Sequence, residues 1–404
     1  MTTTIDNEHK IFNVPNLRFP EFEGEWKECK LGAVAMVVGG GTPDTNNHKY
    51  WNGDIQWFTP SEIGRDKYVT NSLRTISEEG LNKSSAKLLP IGTILLSSRA
   101  TVGECSINKV ECATNQGFQS LIPKEYFSKE FVFYLMQTKR KELIRKSCGS
   151  TFLEISANEV RKIKIAVPTS KEQEKISKLL ALLDERISTQ NKIIEDLKKL
   201  KSAISKYLFE RKDLFENKIK LSKVAELKNG YAFQSSKYNA LGKWKILTIA
   251  NVAGERYVKT NECNSIIEIP YDIQKHQKLE SNDILISLTG NVGRVSLCTE
   301  GFFLLNQRVG LLQLKISENR EFIYQVLSFH KFEESMIACA QGAAQMNIGK
   351  GDVENYILPY SFNKENINSV ASVLKNYDKY IINEINMLSM LHSQKQYLLR
   401  QMFI

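Results

Sequence analysis

Two polar segments of this chain carry side chains that could form the paired hydrogen bonds by which a protein reads a nucleobase edge. Each segment directly follows a short apolar run, so each is expected to form a loop at a strand end. The candidates are Ser97, Ser98, Arg99 and Thr101 in the first loop, and Thr289, Asn291 and Arg294 in the second. Arginine suits guanine, and asparagine suits adenine. The alternative is a turn whose hydroxyl groups satisfy only nearby backbone.

Other polar residues could contact the phosphate backbone of a nucleic acid. Two loops of small and amide residues would let backbone N–H groups approach a phosphate. They contain Ser150 and Thr151 in one case, and Gln341 and Gln345 in the other. Lys162 and Lys164 could add positive charge, although a run of lysines is also typical of an ordinary solvated surface.

No catalytic or metal site is predicted. The glycine-rich segment 38–42 lacks a G-x-G-x-x-G frame, and the segment 342–350 has the wrong spacing for a phosphate-binding loop. The seven cysteines include no C-x-x-C pair, and the five histidines include no H-E-x-x-H motif. A disulfide framework, a zinc site and an independent catalytic centre are therefore disfavoured, and reduced thiols are expected.

The elements that must position these loops occur twice. Residues 26–209 recur in diverged form at 218–403, at an offset of about 190. Each copy begins with short apolar runs punctuated by Gly, Asn, Ser and Pro, which is typical of a mixed α/β domain. Residues 161–167, for example, alternate charged and apolar side chains, which predicts a half-exposed strand.

One dipeptide is unchanged between the copies, at Asn115-Gln116 and Asn306-Gln307. These residues could read bases, or they could hold a turn inside each domain. Two domains that read different sequences would differ at the reading positions. The recurrence therefore favours a structural role for Asn115 and Asn306.

Each copy ends in a long helical segment. Residues 171–211 contain neither Gly nor Pro, and Ser170 with Gln173 has the spacing of a capping box. Apolar residues recur at alternating steps of four and three in both segments, which predicts a coiled-coil seam. The seam is interrupted by polar residues at Gln190, Lys201, Glu384 and Lys395.

We expect the two helices to pair antiparallel within the chain and to separate the α/β domains. About 40 residues at about 1.5 Å each span roughly 60 Å. A coiled coil between two chains is the alternative. The predicted fold is thus two mixed α/β (α+β) domains separated by long antiparallel coiled-coil helices, with an internal pseudo-twofold repeat. The predicted segments are an N-terminal arm (1–25), head 1 (26–168), helix 1 (169–213), head 2 (214–361) and helix 2 (362–404).

Composition sets the broad class of the protein. A chain of 404 residues that is 42% hydrophobic and 25% charged suits a globular protein of two or three domains. No apolar run approaches the length of a membrane span and the N-terminus is polar, so a cytoplasmic protein without membrane association is expected. The net charge of +10 indicates an anionic partner, of which nucleic acid is the commonest.

Several segments together are similar to one known family. They are residues 26–32 (WKECKLG), 94–103, 114–118 (TNQGF) and 167–176, in which P-x-x-x-E-Q-x-x-I is the most specific motif. On these residues the chain resembles, along essentially its whole length, the specificity subunit of type I restriction-modification systems. The second copy departs from the motif, because residues 359–366 read PYSFNKEN and lack the Glu-Gln pair.

The resemblance implies a subunit without catalytic activity of its own. Each head would recognise one half of a bipartite double-stranded DNA target, and the helices would set the gap between the halves. Glu172, Gln173 and Ile176 would dock methyltransferase subunits, two of which are expected and which use S-adenosylmethionine. Two motor-nuclease subunits, which use ATP and magnesium, would complete the restriction complex. The chain itself would bind no cofactor.

Two other functions stay open on the residues alone. One is a structural adaptor whose coiled coil joins proteins and whose heads bind protein ligands. The other is a stand-alone enzyme with an unrecognised site. The basic charge and polar loops favour DNA over a protein ligand, and the missing motifs disfavour the enzyme.

Overall fold

The computed structural model describes residues 13–148, 153–315, 318–341 and 346–404. The chain divides into two compact units, of which unit 1 is Met1–Thr189 with Leu388–Ile404 and unit 2 is Gln190–Met387. Each unit therefore contains one head and a part of each long helix. Within the ranges described, none of the helices combines the length and the apolar character that a bilayer crossing requires.

Head 1 contains a five-stranded sheet, a three-stranded sheet and a two-stranded ribbon. Its elements in chain order are β1 (Lys27–Lys30), α1 (Leu31–Val34), β2 (Ala35–Gly39), β3 (Trp51–Phe58), β4 (Tyr68–Val69), β5 (Arg74–Ile76), α2 (Glu78–Asn82), β6 (Ile94–Leu96), β7 (Cys105–Asn108), β8 (Cys112–Thr114), β9 (Gln119–Pro123), α3 (Lys129–Arg145), α4 (Ala157–Lys162) and β10 (Lys164–Val167), followed by the long helix α5 (Ser170–Glu210). The strand orders are β2-β9-β6-β7-β4, β5-β3-β8 and β1-β10.

The main core of unit 1 lies between the five-stranded sheet and α3. Ser128 caps α3 by accepting a hydrogen bond from the Phe131 amide at 3.2 Å, and residues 131–136 are then all buried. The Phe131 ring stacks on Phe403, with centroids 5.2 Å apart, and Trp26 packs edge-on against both rings. The C-terminal residues therefore complete the core of head 1.

Head 2 repeats this plan with two four-stranded sheets and a ribbon. Its elements are β11 (Asn217–Lys220), β12 (Ala225–Asn229), β13 (Trp244–Leu247), β14 (Asn264–Ile266), β15 (Lys278–Leu279), β16 (Ile284–Ser287), β17 (Val295–Leu297), β18 (Phe303–Leu305), β19 (Val309–Leu314), α6 (Arg320–Leu327), α7 (His330–Ala340), α8 (Lys350–Glu354) and β20 (Ile357–Tyr360), followed by the long helix α9 (Lys364–Gln401). The strand orders are β12-β19-β16-β17, β14-β13-β18-β15 and β11-β20.

One local prediction is wrong in part and another is wrong. Residues 161 and 162 end the helix α4 and only residues 164–167 form a strand, because Ser156 accepts a hydrogen bond from the Glu159 amide and caps a helix there. The capping box at Ser170 is also absent. Gln173 Nε2 donates to the Pro168 carbonyl at 3.0 Å, and Ser170 Oγ donates to the Tyr126 carbonyl at 3.2 Å.

The long helices pack against each other in opposite chain directions within each unit. In unit 1, Leu183 and Ile187 of α5 pack on Leu391 of α9. In unit 2, Gln190 Nε2 donates to the Glu384 carbonyl at 3.1 Å. The polar interruptions of the seam therefore have partners across it. Such buried polar contacts specify the register of paired helices.

A polar cluster attaches head 1 to both helices, and we call it the joint of unit 1. Lys67 Nζ donates to Tyr134 Oη at 2.9 Å, and Tyr134 Oη donates to Asp184 Oδ2 on α5 at 2.6 Å. Lys395 on α9 pairs with Asp184 Oδ1 at 2.6 Å. Burial and the hydrogen bond to Asp184 raise the pKa of Tyr134 well above its ordinary value, so this hydroxyl remains a neutral donor.

The joint of unit 2 occupies the equivalent positions with different side chains. Arg256 Nη1 contacts Glu321 Oε1 and Asp378 Oδ2, both at 2.8 Å, and its Nη2 contacts Glu321 Oε2 at 2.6 Å. Gln325 Nε2 donates to Asp378 Oδ2 at 2.6 Å, and Lys201 donates to Asp378 Oδ1 at 2.6 Å. Although burial alone would lower the pKa of Arg256, its hydrogen bond to Glu321 keeps that pKa above its ordinary value.

Candidate nucleic-acid interface

The two predicted loops have the same backbone course in both heads. The loop after β6 turns at Ala100, where φ is 58°, and the loop after β16 turns at Gly290, where φ is 70°. Few side chains adopt positive φ readily, so the shared turn is a specified feature of both loops. It places a short polar segment beyond each central strand.

Two of the candidates in head 1 lie below the surface and cannot take part in an interface. Ser97 and Ser98 are fully buried, so neither hydroxyl can reach a base edge. Ser97 Oγ donates to the Arg99 carbonyl at 2.8 Å, as expected for a turn at a strand end. The physical reason is that both residues still belong to the sheet layer. The Ser98 amide donates to the Gly117 carbonyl, and the Ser98 carbonyl accepts from the Ile155 amide.

The two remaining candidates of this loop are accessible. Arg99 Nε pairs with Glu154 Oε1 at 2.8 Å, and 43% and 40% of these side chains remain exposed. Thr101 is exposed, and its hydroxyl donates to Ser97 Oγ at 3.1 Å. Arg99 therefore presents a partly accessible guanidinium next to a carboxylate, although its Nε makes no aligned hydrogen bond.

In head 2 none of the three candidates is fully buried. Asn291 is exposed, and Thr289 is half-buried. Arg294 pairs with Glu333 on α7, with its Nε 3.4 Å from the carboxylate. Head 1 has the reverse charge arrangement at this place, since Glu104 pairs with Arg140 on α3 at 2.7 Å. Arg294 therefore ties its loop to a helix, as Glu104 does.

Sequence reasoning missed the residues that face Arg99 and Thr289. Isolated antiparallel bridges join Arg99 to Glu154 and Thr289 to Asn347. The registers match, because Ile155 N donates to the Ser98 carbonyl at 3.1 Å and Ile348 N donates to the Leu288 carbonyl at 2.9 Å. We call these pairs the loop bridges. The recurrence of isoleucine at 155 and 348 was the available signal.

A cleft of about 730 Å³ opens beside the loop bridge of head 2. Its polar lining comprises Asn229, Thr289, Gln307, Arg308, Asn347 and Lys350. Amide and cationic side chains of this kind match base edges and phosphates. Gly230 also lines the cleft, and a Cβ there would lie 2.1 Å from the Asn306 carbonyl oxygen, so the backbone packs too closely for any side chain.

The turn role of the recurrent dipeptide is confirmed. Asn115 Oδ1 accepts a hydrogen bond from the Gly117 amide at 2.8 Å, and Asn306 Oδ1 accepts one from the Arg308 amide at 3.1 Å. Gln116 and Gln307 are exposed beside these turns. The asparagines therefore shape the turns, and both glutamines lie at the surface, where Gln116 Oε1 accepts a hydrogen bond from Thr42 Oγ1.

The phosphate candidates have mixed outcomes. Lys162 is exposed and pairs with Glu159 at 3.0 Å, and Lys164 is exposed in β10 beside Lys30 of β1. Gln341 is exposed at the end of α7. Ser150, Thr151 and Gln345 lie outside the described residues.

The predicted docking residues are not available to a partner. Glu172, Gln173 and Ile176 have only 1%, 2% and 2% of their surface exposed. Glu172 Oε1 and Oε2 each lie 2.8 Å from the Arg18 guanidinium, and Gln173 Oε1 accepts from the Ser128 amide at 3.1 Å. The motif therefore anchors α5 to head 1, and the docking prediction for these three residues is wrong.

A duplicated head with the same polar loops can be compared with known families. A family profile described as "Type I restriction modification DNA specificity domain" matches residues 23–199 and again residues 215–387. The chain belongs to this family. The double match also confirms the internal repeat.

Individual relatives carry the same description. The MjaIX specificity subunit of a type I restriction enzyme from Methanocaldococcus jannaschii is 36% identical over 197 residues, which cover 48% of this chain and 46% of that protein. The chain thus spans about half the length of this relative. The MjaVIII specificity subunit from the same organism is 23% identical over 401 residues, covering 93% of this chain and 90% of that protein.

The fold has a solved counterpart. The crystal structure of a type I restriction-modification system S subunit from M. genitalium aligns with 97% of this chain and 99% of that chain. The TM-score is 0.56 at 16% sequence identity, so the likeness concerns the fold.

Proposed function

We propose that this chain is the non-catalytic DNA specificity subunit of a type I restriction-modification complex, in which each head reads one half of a bipartite double-stranded target. The observation that carries the proposal is one loop surface built twice on the same backbone with different side chains. Arg99 and Glu154 form the bridge in head 1, and Thr289 and Asn347 form it in head 2. Two similar surfaces with different hydrogen-bonding groups suit two different half-sites.

The test is to purify the chain with its cognate methyltransferase subunit and to map methylated adenines in genomic DNA by long-read sequencing. We expect a bipartite motif with a fixed gap. A stable complex that methylates nothing, or that methylates a single continuous motif, would contradict the proposal. As a control, the methyltransferase subunit alone should leave the motif unmethylated.

We further propose that α5 and α9 form the coiled-coil spacer that sets the gap. The contact between Gln190 and Glu384 and the pairing of Lys201 with Asp378 support one defined register. Deleting one heptad, residues 192–198, should disturb the gap or prevent assembly while leaving both half-sites unchanged. Deleting 379–385 as well restores the register and should shorten the gap by up to about three base pairs. A change in either half-site would contradict the spacer role.

Methyltransferase docking then requires a surface other than the buried motif. On α5, Ile193, Leu200 and Tyr207 recur every seventh residue and are 40%, 47% and 64% exposed. On α9, Val373 and Tyr380 have the same spacing and are 44% and 61% exposed. Exposed apolar stripes of this kind mark sites of protein association.

Docking on these stripes can be tested by one substitution. Leu200→Asp should abolish co-purification with the methyltransferase subunit, whereas Lys199→Asp, on the neighbouring exposed residue, should leave it intact. If both variants co-purify equally with the methyltransferase subunit, these stripes are not its docking surface. S-adenosylmethionine, ATP and magnesium would bind to the methyltransferase and motor-nuclease partners, two copies of each, and not to this chain.

A further inference from the structure

The two loop bridges pair side chains of different chemistry at the same place in each fold. In head 1 the pair is a cation and a carboxylate, and in head 2 it is a hydroxyl and an amide. Both bridges join the loop after the central strand to a segment that comes much later in its head. A contact between two such segments brings together two side chains that one ligand can meet at once.

We propose that the loop bridge of head 1 reads one G·C base pair and that of head 2 reads one A·T base pair. The inference rests on the proposed function and adds which base pair each head contacts through its loop bridge. In the major groove, arginine donates to guanine O6 and N7, and glutamate accepts from cytosine N4. Asparagine binds adenine N6 and N7, and the threonine methyl group contacts the thymine methyl group. Each bridge thus carries one side chain for each base of a pair.

The geometry of head 1 suits this task. The ion pair joins Arg99 Nε to Glu154 Oε1 at 2.8 Å, and more than a third of each side chain is exposed. The N–H of Arg99 Nε makes no aligned hydrogen bond, so the ion pair keeps the guanidinium beside the carboxylate and leaves its N–H groups available to a base. The Glu154 carboxylate beside it supplies the acceptor that a cytosine amino group requires.

The geometry of head 2 suits the other pair. Asn347 is exposed and lines the cleft, so its amide is available to adenine. The Thr289 hydroxyl oxygen is buried although the residue as a whole is only half-buried. The accessible surface of Thr289 therefore belongs to its other atoms, which favours a methyl contact over a hydrogen bond.

The experiment exchanges one bridge for the other in the full chain. The double variant Arg99→Thr with Glu154→Asn is assembled with the cognate methyltransferase subunit, and its methylation motif is mapped beside that of the unsubstituted chain. We expect one position of the head 1 half-site to change from G·C to A·T while the head 2 half-site stays the same. An unchanged head 1 half-site, or a change confined to the head 2 half-site, overturns the inference.

A second measurement tests the inference if the double variant does not assemble with the methyltransferase subunit. Glu154→Ala alone is tested by competition with duplexes altered at single positions. Discrimination should fall about tenfold at one C of the head 1 half-site. Glu159→Ala, which changes a partly exposed glutamate of α4 outside the bridge, should leave discrimination unchanged. Equal discrimination by Glu154→Ala and the unsubstituted chain overturns the inference.

The proposed function and the base assignment of the bridges can fail separately. If the unsubstituted complex yields no bipartite motif, the proposed function fails. If it yields one but the half-site of head 1 contains no G·C pair, or that of head 2 no A·T pair, only the assignment of the bridges fails.

Discussion

In unit 1 the aspartate of the joint accepts hydrogen bonds from a tyrosine and a lysine, whereas in unit 2 it accepts them from an arginine, a glutamine and a lysine. Lys67 reaches Asp184 only through the neutral hydroxyl of Tyr134. Arg256 contacts Asp378 directly and also pairs with Glu321. Each head is thus attached to the long helices around one aspartate. That aspartate forms one direct ion pair in unit 1 and belongs to a network of charged groups in unit 2.

The difference predicts unequal dependence on the two aspartates. Three donors converge on Asp378, whose side chain is 8% exposed, while two converge on Asp184, whose side chain is 19% exposed. A buried charge that loses its partner is costly, and the cost grows as exposure to water falls. The joint of unit 2 should therefore be the more fragile of the two.

The largest expected effect is that of Asp378→Ala. It leaves Arg256 and Lys201 without a shared carboxylate, and breaking such a buried pair costs about 3–5 kcal/mol. Burial already lowers the pKa of Lys201, so its charged form is destabilised further when the Asp378 carboxylate is removed. Hydrogen exchange followed by mass spectrometry should show lost protection in α6 of unit 2. Protection in α3 of unit 1 is the internal control, and an equal loss there would contradict a local role.

Asp184→Ala should have a smaller effect. Lys395 and Tyr134 lose their acceptor, but Lys67 keeps its contact with the tyrosine hydroxyl, and we expect a loss of about 1–3 kcal/mol. The same exchange experiment should show lost protection in α3 and none in α6. A loss as large as that of Asp378→Ala would remove the distinction between the joints.

The helices, the repeat and the strands were predictable from the sequence because they depend on periodic burial. The seam predicted for α5 is buried at Leu180, Leu183 and Ile187. The polar interruptions at Gln190 and Lys201 were visible as exceptions, but their partners were not. A partner more than 170 residues away in the chain is set by tertiary packing, which no local pattern records.

The candidate site was predictable only in part. Local spacing indicated the loops, but it does not show which loop residues face the core. Ser98 faces the core, whereas Thr101, three residues later, is exposed. Glu154 and Asn347 come from distant segments, so the bridges exist only after folding. The resemblance assigns the motif around Gln173 to a partner surface, but matching residue types do not show whether they face a partner or the core of their own chain, and Gln173 is buried.

A third test exchanges the cation of the unit 2 joint for that of unit 1. Arg256→Lys removes the two-pronged contact with Glu321, since an ammonium group cannot reproduce the planar guanidinium. We expect a loss of about 1–3 kcal/mol, measured as reduced protection of α6. The matched variant Lys67→Arg should leave the stability of unit 1 nearly unchanged or raise it. If Arg256→Lys leaves the protection of α6 unchanged, the positive charge alone stabilises the joint and the guanidinium geometry contributes nothing.

The smallest effect, and the sharpest test of the relay in unit 1, is that of Tyr134→Phe. Removing the hydroxyl should cost about 1 kcal/mol at pH 8, because Lys67 and Asp184 lose their common partner. Burial raises the folded-state pKa of Tyr134 above the unfolded value of 10.0, so its contribution is fully present below that value. Above it the unfolded chain releases the proton first, and the contribution declines. The stabilities of the two proteins, measured by denaturant unfolding, should therefore converge as the pH rises beyond about 10. A constant difference across this range would mean that the hydroxyl is not the neutral donor that links Lys67 to Asp184.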